Sequence, residues 1–163
     1  MTDVVERTAG PAITLIQDVA TPHNNVLIRE FSRSGVRINL FYAQSRANSL
    51  YKWSRDITHE HGAATIYGTK LNWAFLHRCI CNRDDVYVIV GWANVNTLLL
   101  HLIFFLLRRP YNHWTDLPPQ HGAGPVGQRQ KALRWMAYKV LRFSQAKVFG
   151  VGNGTLSFFR GLN

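Results

Sequence analysis

Cysteine is scarce in this sequence, which has only two, Cys79 and Cys81, among 163 residues. Side chains two positions apart do not meet on a helix and point along one side of a strand, so this pair does not form an ordinary disulfide. On a helix, His77 does not share one face with both cysteines, and no matching second cluster occurs in the sequence. We therefore predict no metal site and no cofactor, and a reducing cytoplasm as the compartment.

Long hydrophobic runs are lacking as well. The most apolar segment, Thr97–Leu107, is too short to cross a bilayer and contains His101. The first residues, MTDVVERTAGP, are polar and do not resemble a signal peptide. We expect a cytoplasmic protein without a membrane-spanning helix.

Negative charge is the third scarcity, with 9 Asp and Glu against 19 Lys and Arg. A basic surface suits nucleic acid, an anionic membrane or a phosphate-bearing ligand. The basic residues are scattered, however, and the sequence carries no nucleic-acid-binding motif, so we predict no nucleic-acid partner. The basic charge therefore favours contact with a membrane surface or chemistry on sugar phosphates over binding of nucleic acid. The alternative is an ordinary soluble basic protein.

What the sequence does contain is an alternation of strand and helix patterns. Apolar, β-branched runs predict five main strands and one short edge strand, in chain order Ala12–Gln17, Val36–Tyr42, the edge strand Thr65–Tyr67, Val86–Val90, Tyr111–Thr115 and Ala146–Val151. Helical periodicity predicts helices over Asn25–Ser34, Leu71–Cys81, Thr97–Leu107 and Gln128–Gln145. This order predicts a single α/β domain, doubly wound and Rossmann-like, with a mostly parallel sheet.

Two of these elements also carry a burial prediction. Val86–Val90 is apolar at every position, which predicts a strand covered on both faces in the middle of the sheet. Thr97–Leu107 is apolar nearly all round, which predicts a buried helix.

Ligands bind beyond the carboxyl ends of the strands in sheets of this kind. The polar and aromatic residues just past three predicted strands are therefore candidates for contact with a ligand: His23, Asn24, Asn25, Trp92, Asn94, Asn96 and Trp114. An asparagine at such a position can equally cap the helix that follows, and both roles stay open.

Asp116 is the candidate catalytic residue, since it follows Trp114 and Thr115 at the end of a predicted strand. A carboxylate shielded by aromatic rings can have a raised pKa and accept a proton from a hydroxyl group. The alternative is a loop or helix-capping aspartate.

A glycine-rich turn follows the last predicted strand, Gly150-Val151-Gly152-Asn153-Gly154. A turn between a strand and a helix can cradle a phosphate, which makes Gly152, Asn153 and Gly154 candidate phosphate-facing residues. A plain strand-to-helix turn is the alternative.

Taken together, the segments ITLIQDVATPHNN, VRINLFY, VYVIVGW, PYNHWTDLP and AKVFGVGNGTLSFFRGLN resemble the N-terminal half of retaining glycosyltransferases of the two-Rossmann-domain kind, the GT-B fold, which build bacterial polysaccharides. The resemblance implies an acceptor-binding domain spanning residues 1–163, which takes a saccharide or a lipid-linked acceptor. It implies that the nucleotide-sugar is bound by a second domain, absent from this chain, or by a partner chain, and that this domain alone is inactive. It also aligns Asp116 with an aspartate of the family's catalytic region. The alternative is a stand-alone basic module that binds a nucleotide or another phosphorylated ligand.

The predicted helix Gln128–Gln145 combines basic and aromatic residues, a pattern that suits an anionic membrane surface on the inner face of the membrane. We expect one face of it to point inward, formed by Leu133, Met136, Ala137, Val140 and Leu141. The alternative is an ordinary surface helix with its aromatic rings in the core. The exposure of Trp135 and Phe143 discriminates between the two.

Overall fold

The computed structural model of the chain describes residues 11–19, 21–44, 64–91, 94–115 and 128–150. These residues form six strands, β1 (Ile13–Val19), β2 (Ile38–Gln44), β3 (Thr65–Ile66), β4 (Val86–Val90), β5 (Tyr111–Thr115) and β6 (Ala146–Gly150). Four helices lie between them, α1 (Pro22–Arg33), α2 (Trp73–Cys81), α3 (Val95–Leu106) and α4 (Gln128–Phe143). The strands pair in the order β3-β2-β1-β4-β5-β6, and every pair is parallel. The predicted Rossmann-like α/β fold is confirmed.

The sheet grows in two directions from its centre. The chain moves from β1 outward to β2 and β3, returns to place β4 beside β1, and then moves outward again to β5 and β6. Ile16 of β1 is level with Phe41 of β2 and with Ile89 of β4. The strand order therefore reverses between β1 and β4, which is the position where sheets of this type open a crevice for ligands.

The helices divide unequally between the two faces of the sheet. One face packs against α2, α3 and α4 and forms the larger core, which includes Phe75 of α2, Leu100 of α3 and Leu141 of α4. The other face packs against α1, where Ile28 contacts the smaller core around Tyr42. Among the described helices, three thus cover one face and one covers the other.

This inequality corrects the burial prediction for β4. Tyr87 and Ile89 are buried against the three-helix layer, whereas Val88 and Val90 are only half-buried and Val86 is exposed on the face of α1. Their apolar character matches a central strand, but the described helices do not cover both of its faces.

The burial prediction for α3 is wrong on one side of the helix. Leu100 and Phe104 are fully buried, but Val95, Leu102 and Leu106 are exposed. Apolar residues all round a helix indicate that burial of every side would be favourable. They do not show that the same domain buries every side.

The start of α1 also differs from the prediction, which ended the first strand at Gln17 and began the helix at Asn25. β1 continues through Asp18 and Val19, and the helix already begins at Pro22. Proline suits the first position of a helix because its missing N–H would have no intrahelical partner there. The Thr21 carbonyl accepts the first intrahelical hydrogen bond, from the Asn25 N–H at 3.1 Å.

Side-chain caps explain why two helices begin where they do. α2 begins at Trp73 because the Asn72 side chain accepts a hydrogen bond from the Phe75 N–H at 2.9 Å. α3 begins two residues earlier than predicted because Asn94 and Thr97 form a capping box. The other predicted ends agree with the structure or differ by at most two residues; β6 ends at Gly150, and Val151 lies outside the described residues.

The end of α3 is tied to the end of α2 by Arg109. The Arg108 backbone adopts a left-handed conformation, φ 50°, and the Arg109 N–H donates to the Phe104 carbonyl at 2.8 Å. The Arg109 guanidinium donates to the carbonyl oxygens of Cys79, Ile80 and Asn82. Its central carbon also lies 4.6 Å from the centre of the Tyr87 ring and 4.9 Å from that of the Phe104 ring, beside two rings that contact each other edge to face. One side chain thereby satisfies the last carbonyls of α2 and holds the two helices together.

Candidate functional site

The carboxyl ends of β1 and β4 define the candidate site. Two residues separate the end of β1 from α1, and four separate the end of β4 from α3. The two helices lie on opposite faces of the sheet. Neither helix has an acidic residue in its first turn. Because the backbone N–H groups of a helix N-terminus carry partial positive charge, both helix starts favour an anionic or hydroxyl-bearing ligand between them.

Asp18 is the charged group of this crevice. Its carboxylate is half-buried and accepts hydrogen bonds from Asn94 Nδ2 at 3.3 Å and Gln44 Nε2 at 3.4 Å. Both bonds are long, so the carboxylate retains capacity to accept a further hydrogen bond.

Tyr67 closes the crevice from the side of β3. Its hydroxyl accepts a hydrogen bond from Asn94 Nδ2 at 3.0 Å and lies 3.4 Å from the Gln17 carbonyl, to which it donates. Its ring stacks on Phe75 at a centroid distance of 4.2 Å. Burial raises the pKa of Tyr67, and the hydrogen bond with Asn94 opposes that shift without cancelling it. Tyr67 is therefore a neutral hydroxyl, which orients Asn94 and does not act as a base.

Asn25 lies in the first turn of α1 and is buried, with 2% of its surface exposed. Its Oδ1 atom makes no hydrogen bond within the part of the chain that the structure describes. A buried carbonyl oxygen without a donor costs free energy, about 1–3 kcal/mol. Contact of Asn25 with a ligand stays a prediction.

Asn94 and Asn96, two of the predicted ligand contacts, have extensive structural roles. Asn94 Oδ1 accepts from the N–H groups of Asn96 and Thr97 at 3.0 and 3.1 Å, which caps α3. Asn96 is fully buried; its Oδ1 accepts from the Asn72 N–H, and its Nδ2 donates to the carbonyls of Gly68 and Lys70. Asn94 still borders the crevice through Nδ2, whereas Asn96 fixes the loop before α2. Contact of either residue with a ligand stays a prediction.

Trp114 lies apart from these residues. It lines a groove of about 490 Å³ on the face of α1, which runs across β1, β4, β5 and β6. Its lining is almost entirely apolar and includes Leu15, Phe31, Val88 and Phe149. Such a lining suits a hydrocarbon group better than a saccharide, because it offers few partners for hydroxyl groups. The structure thus places Trp114 and the pair Asn94 and Asn96 in different surroundings.

Two buried histidines, which the sequence did not single out as a pair, meet behind the crevice. His101 of α3 and His113 of β5 lie with ring centroids 4.9 Å apart, and both are almost fully buried. His101 Nδ1 lies 3.0 Å from the Tyr111 hydroxyl, and its Nε2 lies 3.3 Å from the Gly91 carbonyl. Burial lowers the pKa of His101 to about 4; burial and the neighbouring His101 lower the pKa of His113 to about 2. Both rings are neutral at pH 7, and His101 holds the turn after β4.

Several predicted residues lie outside the described residues: Trp92, Asp116, Gly152, Asn153, Gly154 and the side chains of His23 and Asn24. The backbone of His23 and Asn24 is described and belongs to the first turn of α1. The roles predicted for these residues stay predictions.

Sequence reasoning missed Asp18, Gln44 and Tyr67 as members of the crevice. Gln44 and Tyr67 gave no signal, because they join the site only through the pairing of β2 with β1 and β3. Asp18 did give one, since it is an acidic residue at the end of the first strand of a doubly wound pattern, but the prediction placed it in a loop.

Within the described ranges, no three His, Cys, Asp or Glu side chains come together in a way that could hold a metal ion. Comparison of the chain with protein-family models, with curated proteins and with solved structures gives no match in any of the three. The fold and the site therefore define a Rossmann-like α/β domain with a polar crevice between β1 and β4.

Proposed function

We propose that this chain is the acceptor-binding domain of a glycosyltransferase, which transfers a sugar from a nucleotide-sugar to a saccharide or lipid-linked acceptor. The observation that carries the proposal is the crevice at the reversal of strand order, where Asp18 contacts Asn94 between the starts of α1 and α3. The sequence resemblance to the N-terminal half of GT-B glycosyltransferases supports the same function.

The polar groups of the crevice suit a sugar. A sugar hydroxyl both donates and accepts hydrogen bonds, so it needs acceptors and donors close together. Asp18 supplies an acceptor, and we propose the Asn25 Oδ1 atom as a second. Both N–H groups of Asn94 Nδ2 are already engaged, by Asp18 and by the Tyr67 hydroxyl, so the donors would be the backbone N–H groups at the helix starts. A phosphate of a lipid-linked acceptor would be favoured at the helix starts.

In this proposal the nucleotide-sugar is held by a second domain or a partner chain that faces the crevice. Asp116 is the proposed catalytic base, which would take the proton of the attacking acceptor hydroxyl. It directly follows Thr115, the last residue of β5, in the chain. Since transfer needs both the donor and the acceptor, this chain alone would bind acceptor and not turn it over.

A second candidate function is a stand-alone module that binds a nucleotide or another phosphorylated ligand. It is favoured by the absence of acidic residues from the first turns of α1 and α3 and by the net charge of +10. Gly152, Asn153 and Gly154 are the candidate phosphate contacts of that function.

Binding measurements separate the two candidates. Isothermal titration with methyl glycosides of common hexoses and N-acetylhexosamines, and separately with UDP and UDP-glucose, tests each ligand class on the whole chain. We expect at least one glycoside to bind, and Asp18→Asn to weaken it by about tenfold because one charge-assisted hydrogen bond is lost. Asp84→Asn is the matched control, since Asp84 is an exposed carboxylate beyond the amino end of β4.

The outcomes of these titrations support or contradict each candidate. Binding of UDP without any glycoside would favour the phosphorylated-ligand module over the acceptor domain. Failure of both ligand classes to bind, with the chain folded, would contradict both candidates.

A further inference from the structure

The outer side of α3 is apolar and exposed. The helix contains no charged residue at all, VNTLLLHLIFFL. Its inner side is buried in the core, but Leu102 is 39% exposed and Leu106 is 66% exposed, and Leu107 after the helix is also exposed. Removing such leucine side chains from water is favourable, so this side of the helix is suited to a partner.

The outer side of α4 adds aromatic and basic residues to it. Ala137 and Leu141 are buried in the core, whereas Trp135 and Phe143 are 62% and 66% exposed and Met136 is also exposed. The exposure of the two aromatic residues is the outcome that distinguishes a docking helix from an ordinary surface helix. It also corrects the prediction that Met136 points inward.

The two helices lie in one layer. Residues of both pack into the same core on the same face of the sheet, and α3 contacts α4 directly. We name their exposed residues the α3–α4 outer surface: Leu102, Leu106, Leu107, Trp135, Met136 and Phe143.

Charge determines which partner fits this surface. α4 carries five basic residues and no acidic one, and Arg108 follows α3. The Lys139 ammonium lies 5.4 Å from the centre of the Trp135 ring, and the Arg142 guanidinium lies 5.7 Å from the Phe143 ring. A second copy of the same surface would bring like charges together, which is unfavourable.

We propose that the α3–α4 outer surface docks on a membrane of anionic phospholipids. Exposed tryptophan, phenylalanine and leucine side chains enter the boundary between headgroups and acyl chains, while the lysine and arginine side chains contact lipid phosphates. In this proposal the contact lies in the plane of the membrane. No helix of the described residues is long and apolar enough to cross a bilayer. The proposal concerns the outside of the helical layer and does not depend on which ligand the crevice binds.

Vesicle sedimentation tests it, with phosphatidylcholine vesicles and with vesicles that are half phosphatidylglycerol. We expect the chain to sediment with the anionic vesicles only. Lys139→Glu with Arg142→Glu should lower the partition coefficient by about 30-fold or more, since each lost positive charge accounts for about fivefold. Trp135→Ser with Phe143→Ser should lower it by more than about tenfold, because the inserted apolar area is lost.

Matched control variants lie on the other face of the sheet. Val26→Ser removes an exposed apolar side chain of α1, and Arg29→Glu with Lys147→Glu reverses two exposed charges. These control variants should retain most of the binding to anionic vesicles. Arg29→Glu with Lys147→Glu will weaken that binding slightly, because it lowers the net positive charge of the chain. A circular dichroism melt of each variant shows that it is folded.

Equal recovery of the chain in the supernatant with both kinds of vesicle would overturn the proposal. Control variants that lose as much binding as the α4 variants would overturn it too, because the binding would then be net-charge attraction without a defined surface. A stable dimer that Leu102→Ser with Leu106→Ser abolishes would assign the surface to a second copy instead.

Discussion

The buried histidine pair predicts a loss of stability in mild acid. His101 and His113 have pKa values of about 4 and about 2 in the folded chain, against an ordinary value of 6.5. Because the pKa values of both groups are lowered in the folded state, the unfolded chain binds more protons than the folded chain below pH 6.5. The free energy of unfolding therefore loses nothing through these two groups well above pH 6.5, and it decreases as the pH falls below that value. The contribution of His101 stops growing near pH 4, whereas that of His113 continues to grow below pH 4.

The magnitude follows from the linkage between protonation and folding. Each histidine removes about 1.4 kcal/mol per pH unit once the pH is below the unfolded value. Through these two residues together, the free energy of unfolding should be about 4 kcal/mol lower at pH 5.0 than at pH 7.5. That is a large part of the stability of a domain of this size, about 5–15 kcal/mol.

Urea unfolding at pH 7.5 and 5.0, followed by circular dichroism, measures this difference. In His113→Phe the part of the pH dependence that comes from the pair should fall to about half, since of the two buried histidines only His101 remains. His77→Gln is the control for the loss of a histidine from an exposed position, because His77 is exposed on α2. Equal free energies of unfolding at the two pH values, or full pH dependence in His113→Phe, would refute the reasoning.

Three further predictions concern single residues. Arg109→Lys should lower the free energy of unfolding by about 2 kcal/mol, because lysine cannot both bind three carbonyls at the end of α2 and contact the Tyr87 and Phe104 rings; in urea, Arg108→Lys should change it by less than about 0.5 kcal/mol, and equal effects of the two variants would contradict the role of Arg109. Asn94→Ala should cost about 1 kcal/mol through loss of the α3 cap, whereas Asn94→Ser, which keeps a capping oxygen and places no second carboxylate beside Asp18, should retain most of that contribution; thermal melts that rank the two variants in the opposite order would rule this out. Iodoacetamide should label Cys81 in the folded chain and Cys79 only in urea, because Cys79 is buried and its pKa is raised to about 12 by burial; mass spectrometry showing equal labelling rates would count against that burial.

The sequence predicted the strands well because apolar β-branched runs and the turns between them are local signals. Val86–Val90 and Tyr111–Thr115 agree with β4 and β5 residue for residue. The exposure of Leu102 and Leu106 was not predictable in the same way. Periodicity reports which sides of a helix are apolar, but only the tertiary arrangement shows which of those sides another element covers.

The candidate site was predicted less completely, because it is assembled from distant parts of the chain. Asp18 and Asn94 are 76 positions apart and meet only because β4 returns to pair with β1. The position beyond the strand ends was correctly expected for Asn94, but sequence alone could not separate its capping role from contact with a ligand. Both roles use the same side-chain atoms, and the three-dimensional arrangement shows which of them are already engaged.

The measurement that tests the central claim most directly is a titration of the ¹⁵N-labelled chain with the methyl glycosides, followed by amide chemical shifts. The account predicts that a bound saccharide shifts the amide signals of Asp18, Asn25, Gly91 and Asn94, at the carboxyl ends of β1 and β4. It also predicts that Asp18→Asn weakens these shifts and Asp84→Asn does not. Shifts confined to other parts of the sheet, or no shifts at millimolar saccharide with the chain folded, would contradict it.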